Sequence, residues 1–367
     1  MEKFKLRRHF DTSIPIVGLI LSIVGLVMIL SSSQISAAQT YGNSYYFFIK
    51  QLAYWGLGIV AFFYFLRVPL ESLYENRVRL LWVTLVLLVL VFIPYIGPKI
   101  AGVHRWVDLG FFSFQSAEVA KLLLVIYFAG WFAAKRENIT DPIKGLLPFL
   151  VILTALTLLV IAEPDMGTAF ILIATAMIMF FAAGANIWQY ISVVILGIVA
   201  FVLLIHTASY RLERLTGFLN RNTTNLDSAY HGQQALIAIG SGGWWGVGFG
   251  QGISKQFYLP QSHTDSIFAV IGEELGFVRT GLILAAYFYL AWRGIMIFYQ
   301  ANSRFVQLLS IGLSASILLQ MMINVGGMLN VLPLTGVPMP FISYGGSSLI
   351  VSLAMLGLLT NASREKK

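Results

Sequence analysis

The chain has 367 residues, of which 58% are hydrophobic and 11% are charged, and its formal net charge is +8. This composition excludes an ordinary soluble domain and identifies an integral membrane protein. The sequence contains no cysteine, which excludes disulfides, a thiolate nucleophile and a thiolate metal site. Membrane topology and anionic lipid headgroups explain the excess of Lys and Arg, so no nucleic-acid partner is predicted.

Continuous apolar runs, without the alternation that is typical of membrane β-strands, predict an all-α fold with helices that cross the bilayer. We predict ten transmembrane helices, in a single polytopic domain over 1–367, with the basic N-terminal segment retained ahead of the first helix. The predicted spans are 12–33, 49–66, 78–96, 116–134, 146–162, 167–184, 189–206, 266–292, 305–325 and 346–361.

The cationic residues are divided unevenly between the two faces that these spans define. Of the 24 Lys and Arg residues, fifteen fall on the face that holds both termini, whereas seven fall on the opposite face. Because basic loops resist translocation, both termini are predicted to be cytoplasmic. The extracytoplasmic face then contains a large loop at 207–265, which is far longer than a simple helix connection requires.

The fourth predicted span carries two opposite charges three residues apart, Glu118 and Lys121, so both lie on one helix face. Each would cost about 2.5 to 3.5 kcal/mol at the bilayer centre if it were left unpaired. We therefore expect them to pair or to line a wet cavity, and an ion pair that only fixes helix packing is the alternative. The loop that precedes this span carries a further cationic residue, Arg105.

Two further polar segments lie on the predicted outer face. Asp165 follows a proline that ends the fifth span, and it either shapes a site or caps the following helix. The Pro- and Gly-rich segment 326–346 is predicted to re-enter the protein as ordered irregular backbone and to form a wall of the site. Ser343 in this wall offers a hydroxyl to the site, or satisfies carbonyls of its own loop.

The large loop begins with Arg211 and Arg214, passes through the glycine-rich run 240–252, and ends at His263 and Asp265. Backbone amides of the glycine-rich run could hold a phosphate, but packing at the membrane interface is the favoured interpretation. His263 is either a proton relay or a hydrogen-bonded loop histidine. For Asp265, spacing alone leaves a catalytic carboxylate and a helix N-cap open.

Six blocks, which follow one another over nearly the whole chain, resemble the SEDS family (shape, elongation, division and sporulation). Within that family, residues 110–114 and 336–338 are more similar to the division branch than to the elongation branch. The chain departs from the family pattern at Ser116, Ala117, Gln261, Ser266 and Arg279. The six blocks are Trp106-Val107-Asp108-Leu109-Gly110, Glu118 with Lys121, Pro164-Asp165-Met166-Gly167-Thr168-Ala169, His263-Thr264-Asp265, Gly272-Glu273-Glu274-Leu275-Gly276-Phe277 and Pro340-Phe341-Ile342-Ser343-Tyr344-Gly345-Gly346-Ser347-Ser348.

The resemblance implies a peptidoglycan glycosyltransferase that polymerises lipid II at the outer face of the bacterial cytoplasmic membrane, for cell division or cell shape. It implies that Asp265 is the essential residue and that Glu118, Lys121 and Asp165 line a central cavity. It also implies a class B penicillin-binding protein as the transpeptidase partner.

Such a reaction needs a base for the acceptor hydroxyl and positive charge for the leaving lipid diphosphate. Asp265 is predicted to be the general base, a role that typically contributes roughly 10²- to 10⁴-fold. The diphosphate would be stabilised by a divalent cation, Mg²⁺ or Mn²⁺, or by one of the cationic residues Arg105, Lys121, Arg211 and Arg214. No organic cofactor is predicted, and direct displacement implies inversion at the sugar.

Two other classes of function stay open at this point. A transporter could carry a lipid-linked precursor across the bilayer, although transporters often contain two related halves and the sequence shows no such repeat. A noncatalytic scaffold could dock a penicillin-binding protein through its membrane helices.

Overall fold

The computed structural model describes residues 10–100, 102–108, 110, 113–205, 216, 218, 227–256, 259 and 261–365. These residues are predominantly helical, which confirms the prediction of an all-α membrane protein. The helices are α1 (Ser13–Tyr41), α2 (Tyr46–Arg67), α3 (Leu70–Glu75), α4 (Arg77–Leu90), α5 (Ser116–Ala134), α6 (Leu147–Ala162), α7 (Met166–Ala182), α8 (Ile187–Ile205), α9 (Asp227–Ser241), α10 (Ile267–Gln300), α11 (Arg304–Met328) and α12 (Gly346–Ala362).

Ten of these twelve helices each overlap one of the ten predicted spans. The exceptions are α3 and α9, and α9 is a helix inside the segment 207–265 that was predicted as a loop. Among the described residues, six segments are long and apolar enough to cross a bilayer: α1, α2, α5, Pro142–Ala162, α10 and α11. Three apolar helices are shorter: α7, Ile187–Leu203 and α12. Helices α1 and α10 extend well beyond the predicted spans, because hydropathy locates an apolar stretch and not the last hydrogen-bonded turn.

The connection between α4 and α5 is ordered by two short antiparallel hairpins that the sequence did not predict. Strand β1 (Lys99–Ile100) pairs with β2 (Val103–His104), and β3 (Trp106–Asp108) pairs with β4 (Ser113–Gln115). Strand β4 runs directly into α5. Arg105 is therefore held between two strands, immediately beside the start of the helix that carries Glu118 and Lys121.

One end of the helix bundle brings the two ends of the described chain together. The backbone amide of Asp11 donates to Ser363 Oγ at 2.9 Å, and Asp11 also forms an ion pair with Arg293. Asn361, in the last turn of α12, donates to the carbonyl of Phe65 at 3.0 Å. These contacts place the start of α1 and the ends of α2, α10 and α12 on one side of the molecule.

The opposite end, here called the loop end, is formed by the described residues of the segments 91–115, 163–165, 242–266 and 329–345. These segments bond one another or neighbouring helix ends. The amide of Tyr344 donates to the carbonyl of His263 at 2.9 Å, and Ser262 Oγ donates to the carbonyl of Ser32 at 3.1 Å. The segments of the loop end are therefore bonded to one another and to α1, and the candidate site lies at this end.

Helices α5 and α11 are the most enclosed of the long helices, with most of their side chains buried. Phe128, Phe132, Phe149 and Phe180 form an aromatic cluster beside α5, in which Phe149 and Phe180 stack with centroids 4.7 Å apart. In lipid, helix association depends on such close packing, because the lipid tails are as apolar as the side chains. The helices around α5 and α11 are therefore closely packed, and this packing supports the loop end.

Candidate functional site

Asp265 lies in the loop immediately before α10 and its side chain is half-buried. The N-cap position of α10 is Ser266, whose hydroxyl lies 2.6 Å from His231 Nε2. The N-cap alternative for Asp265 is therefore wrong, since the cap falls one residue later. Asp265 thus lies at the loop end, two residues before the buried first turns of α10, which begin at Ile267.

The Asp265 carboxylate faces the wall segment 333–345, which is neither helix nor strand and is largely buried from Val337 onward. The irregular segment is shorter than the predicted 326–346, because α11 continues to Met328 and α12 begins at Gly346. Its role as a wall of the site stays a prediction. At Gly336, in this wall, an added Cβ would lie 3.3 Å from Asp265 Oδ2. Gly336 has a φ of 72°, a conformation that glycine adopts without strain. A glycine here therefore allows the wall to pass close to the carboxylate.

Glu118 and Lys121 form the ion pair that their spacing predicts, with Lys121 Nζ 2.9 Å from Glu118 Oε1 and each side chain 1% exposed. Lys121 Nζ also donates to Gln320 Oε1 at 2.5 Å. The second oxygen of Glu118, Oε2, has no hydrogen-bond partner among the residues that the structure describes. The pair is sealed between α5 and α11, so direct contact of Lys121 with a diphosphate stays a prediction.

Gln320 connects this ion pair to the wall. Its Nε2 donates to the carbonyl of Pro338 at 2.9 Å and lies 3.3 Å from Ser348 Oγ, at the start of α12. Its Oε1 accepts from Lys121. Gln320 cannot be recognised as a site residue from the sequence, because nothing in the spacing along α11 indicates which face meets α5.

Arg105 is placed at the turn between α6 and α7. Its guanidinium donates to the carbonyl of Glu163 at 3.0 Å and also to the carbonyl of Pro164. A cation at these carbonyls satisfies the C-terminal end of α6 and complements its dipole. In this arrangement Arg105 orders the turn, and its proposed contact with a diphosphate stays a prediction.

Asp165 caps α7, as one of its two predicted roles required. Its Oδ1 accepts from the amide of Thr168 at 3.0 Å, and its Oδ2 accepts from Thr168 Oγ1 at 2.8 Å. Gln115 Nε2 donates to the same Oδ2 at 3.0 Å. The carboxylate therefore also ties the start of α7 to the residue before α5.

Glu163 is a buried carboxyl group for which the sequence predicts no role. Its side chain is 0% exposed, and Ser116 Oγ lies 2.9 and 3.1 Å from its two oxygens. Burial in this turn, with a smaller contribution from Asp165, raises the pKa of Glu163 to about 8, against lowering by Ser116 and Arg105. The contact joins residues 47 positions apart, so no local pattern indicates it. Ser116, one of the departures from the family pattern, is its partner.

His263 packs among aromatic rings, 4.3 Å from the ring of Phe47 and 5.6 Å from that of Tyr344. Burial lowers the pKa of His263 to about 4, so the imidazole is neutral at neutral pH. Its Nδ1 is buried and has no hydrogen-bond partner in the described part of the chain. The aromatic contacts fix the loop that leads to Asp265, and a relay role for His263 stays a prediction.

Ser343 bonds within the wall. Its Oγ accepts from the amide of Met339 at 2.7 Å, and its carbonyl accepts from Gln51 Nε2 at 3.2 Å. Gln51 Oε1 in turn accepts from the amide of Gly345 at 3.2 Å. The Ser343 hydroxyl is therefore bonded inside its own loop, but to an amide and not to a carbonyl as predicted, and α2 supports that loop through Gln51. A contact of this hydroxyl with substrate stays a prediction.

The glycine-rich run wraps around a break in α10. Gly276 has non-helical angles, φ 75° and ψ 177°, inside this helix. The amides of Val247 and Gly248 donate to the carbonyls of Glu273 and Glu274, at 3.0 and 3.2 Å. These amides are engaged by the protein, which favours loop packing over a phosphate cradle, and Trp244 and Trp245 are exposed, as an interfacial position requires.

The side-chain carboxylates of Glu273 and Glu274, beside the break in α10, bond residues that follow the glycine-rich run. Glu274 forms a buried ion pair with Lys255, with Nζ and Oε1 2.6 Å apart, and accepts from Ser31 Oγ at 2.8 Å. Glu273 accepts from the amide of Ile253 at 2.9 Å. Both glutamates therefore act as packing and hydrogen-bonding residues, the role predicted for one of them.

The remaining predicted residues do not enlarge the described site. Arg211 and Arg214 lie outside the described residues. Arg279 is exposed beside the break in α10, and its Nη1 lies 3.4 Å from the carbonyl of Trp245. Within the described ranges, no group of three or more His, Asp or Glu side chains that could hold a metal ion comes together. The divalent cation therefore stays a prediction.

Known proteins match this chain over almost its full length. The FtsW/RodA/SpoVE family model, described as cell cycle protein, matches residues 11–367. Stage V sporulation protein E of Bacillus subtilis is 37% identical over 354 residues, which cover 96% of this chain and 97% of that protein. The probable peptidoglycan glycosyltransferase FtsW of Saccharophagus degradans is 35% identical over 361 residues, covering 98% and 93%.

Solved structures show the same architecture. A chain from a peptidoglycan synthase complex, solved to explain the coordination of polymerization and crosslinking, superposes with a TM-score of 0.79 at 26% identity, covering 97% of this chain and 98% of that one. The rod shape determining protein RodA of Thermus thermophilus gives a TM-score of 0.71 at 24% identity, covering 97% of each chain, which shows a shared fold. The chain therefore belongs to the FtsW/RodA/SpoVE family of cell cycle proteins, the SEDS family that its sequence blocks resemble.

Proposed function

We propose that this chain is a peptidoglycan glycosyltransferase that polymerises lipid II, with Asp265 as its general base. The observation that carries the proposal is the match, over 98% of the chain, to proteins named "Probable peptidoglycan glycosyltransferase FtsW". The position of Asp265 supports its role for two reasons. Asp265 is only partly buried, at the loop end, and the helix that follows it, α10, begins with buried residues.

The proposed topology has ten spans, both termini in the cytoplasm and the site on the outer face of the bacterial inner membrane. Two observations support it. The predicted spans each overlap a helix, and the end of the bundle where α1 starts and α12 ends also carries the basic loops. The loop end, with Asp265, then faces the compartment in which the cell wall is built.

In the proposed reaction, the acceptor 4-hydroxyl oxygen forms a bond to the anomeric carbon of the donor sugar. The bond between that carbon and the lipid diphosphate breaks, the diphosphate leaves with its electron pair, and Asp265 takes the hydroxyl proton. Direct displacement gives inversion without a glycosyl-enzyme intermediate. The positive charge that meets the diphosphate is assigned to Arg105, Lys121, Arg211, Arg214 or a divalent cation.

The proposed partner is a class B penicillin-binding protein. A chain of the same fold belongs to a peptidoglycan synthase complex in which polymerization and crosslinking are coordinated, so a transpeptidase beside this chain fits the proposed product. The membrane lipids that surround the exposed apolar helix faces are the other expected partners.

Purified protein in liposomes that contain lipid II tests the proposal. Wild type is expected to produce a ladder of glycan chains on gels, and Asp265→Ala is expected to produce none while it folds normally. Movement of lipid II between leaflets without polymer would instead identify a carrier. Neither polymer nor movement would identify a scaffold, and either result would overturn the proposal.

A further inference from the structure

Asn324, on α11, makes a double contact beneath Asp265. The side chain is 4% exposed, and its Nδ2 donates to the carbonyl of Asp265 at 2.9 Å and to the carbonyl of Val337 at 2.8 Å. A primary amide has two N–H groups in one plane, at a fixed angle to each other. Because both are used, the separation of the two carbonyls is fixed by the shape of one amide.

The two carbonyls belong to the two sides of the candidate site. Asp265 carries the proposed base, and Val337 follows Gly336, the wall residue beside Asp265 Oδ2. The contact of Asn324 is with the backbone of both segments, so it determines where the base stands relative to the wall. We infer that Asn324 is the positioning residue for Asp265, an inference that rests on the proposed glycosyltransferase function.

Gln320 extends the same arrangement to the buried ion pair. It precedes Asn324 by four residues, so both amides lie on one face of α11. Gln320 donates to the carbonyl of Pro338, the residue after Val337, and accepts from Lys121. Two side-chain amides one turn apart thus donate to the carbonyls of consecutive wall residues. Through them, α11 fixes the relative positions of Asp265, the wall and the Glu118–Lys121 pair.

The direction of the Asn324 amide is determined by its surroundings. The opposite orientation would place Oδ1 against two carbonyl oxygens, which are acceptors only. In the orientation present, Oδ1 is buried and has no hydrogen-bond partner among the described residues. The side chain therefore leaves one acceptor unsatisfied in order to donate twice, which fits a residue whose task is to hold two segments.

Asn361 provides a matched control at the other end of the molecule. It is 2% exposed, and its Nδ2 also donates to two backbone carbonyls, those of Phe65 at 3.0 Å and Val68 at 2.8 Å. Removal of either amide breaks the same number of similar bonds. The two asparagines differ in location, because only Asn324 lies at the candidate site.

The test compares Asn324→Ala with Asn361→Ala in lipid II polymerisation and in hydrogen exchange. Both variants are expected to lose similar thermal stability. Asn324→Ala is expected to lower kcat by about 100-fold, the effect of a displacement of about 1 Å, with KM within about threefold of wild type. Asn361→Ala is expected to keep the wild-type kcat. Asn324→Leu, which keeps a similar shape and loses both donors, is expected to behave as Asn324→Ala does.

Hydrogen exchange gives a readout that needs no activity. Peptides that cover 261–266 and 333–340 are expected to exchange faster in Asn324→Ala, and to be unchanged in Asn361→Ala. Wild-type kcat in folded Asn324→Ala, or equal exchange in both variants, would overturn the inference. A third outcome separates the two claims. If wild type makes no polymer while Asn324→Ala still exchanges faster in these two peptides, the positioning role stands and the proposed function is contradicted.

Discussion

Gly336 and Asp265 lie side by side on the loop end, so the smallest change at the glycine reaches the carboxylate. A Cβ at position 336 would stand 3.3 Å from Asp265 Oδ2, in a backbone conformation with φ 72°. Gly42 is a matched position: it has φ 68°, and an added Cβ would meet nothing within 4 Å. The two positions share the backbone conformation and differ in what a methyl group would touch.

We therefore expect Gly336→Ala to reduce polymerisation at least tenfold, while Gly42→Ala keeps near wild-type activity. Both substitutions should lower stability by about 1 to 2 kcal/mol, because both place an L-residue in the left-handed region. The rate of glycan synthesis per folded protein measures the difference. Equal activity of the two variants would show that the wall does not need to approach Asp265.

Glu163 gives a prediction about pH. Its native pKa of about 8 lies above its ordinary value of 4.5, so the folded state holds a proton that the unfolded state releases. The free energy of unfolding should therefore fall as pH rises from about 4.5 to about 8, and then level off. Each pKa unit corresponds to about 1.36 kcal/mol.

Glu163→Gln removes this titration while it keeps a neutral side chain of similar shape. We expect the Tm of wild type in detergent to decrease more steeply between pH 5 and pH 8.5 than the Tm of Glu163→Gln. Ser116→Ala should retain the steep profile, because the carboxyl group remains buried. Parallel profiles for wild type and Glu163→Gln would contradict a neutral Glu163 in the fold.

At the scale of elements, the break in α10 organises the loop that leads to the candidate site. A Cβ at Gly276 would collide with the backbone of Trp245 and Gly246, so this glycine is needed for its size as well as its φ. Gly281, five residues further along the same helix, has open space around it. The carbonyls of Glu273 and Glu274, freed by the break, accept amides from the glycine-rich run.

Gly276→Ala is expected to destabilise the protein by more than about 1 kcal/mol, since it adds a backbone collision to an unsuited φ. Gly281→Ala should be neutral or slightly stabilising, because alanine is the better helix former by about 1 kcal/mol. Thermal unfolding of both variants measures this. A Gly276→Ala protein as stable as Gly281→Ala would show that α10 can run straight.

Local patterns were sufficient for some elements and insufficient for others. Apolar runs predicted the helices because burial in lipid demands many consecutive apolar residues, and the i, i+3 spacing of Glu118 and Lys121 predicted their ion pair. The Ser116–Glu163 contact and the bridges from Asn324 join segments far apart in sequence, so they depend on tertiary packing. The break at Gly276 was missed because an isolated glycine in an apolar run also occurs in continuous helices.

At the scale of the whole molecule, the proposed orientation can be tested with single cysteines, because the chain has none of its own. Tyr95 is fully exposed at the loop end, and Glu137 is exposed at the opposite end. A membrane-impermeant maleimide should label Tyr95→Cys in intact spheroplasts and Glu137→Cys only after permeabilisation. The reverse pattern would place Asp265 inside the cell and contradict the proposed function.

The most direct test of the central claim is the rate of lipid II polymerisation by Asp265→Asn beside Asp141→Asn. Asparagine keeps the shape of Asp265 but cannot take up the acceptor proton, so activity should fall by roughly 10²- to 10⁴-fold. Asp141 caps a turn at the opposite end, where its Oδ1 accepts from the amides of Ile143 and Lys144, and its asparagine variant should remain active. Wild-type polymerisation by Asp265→Asn would contradict the account.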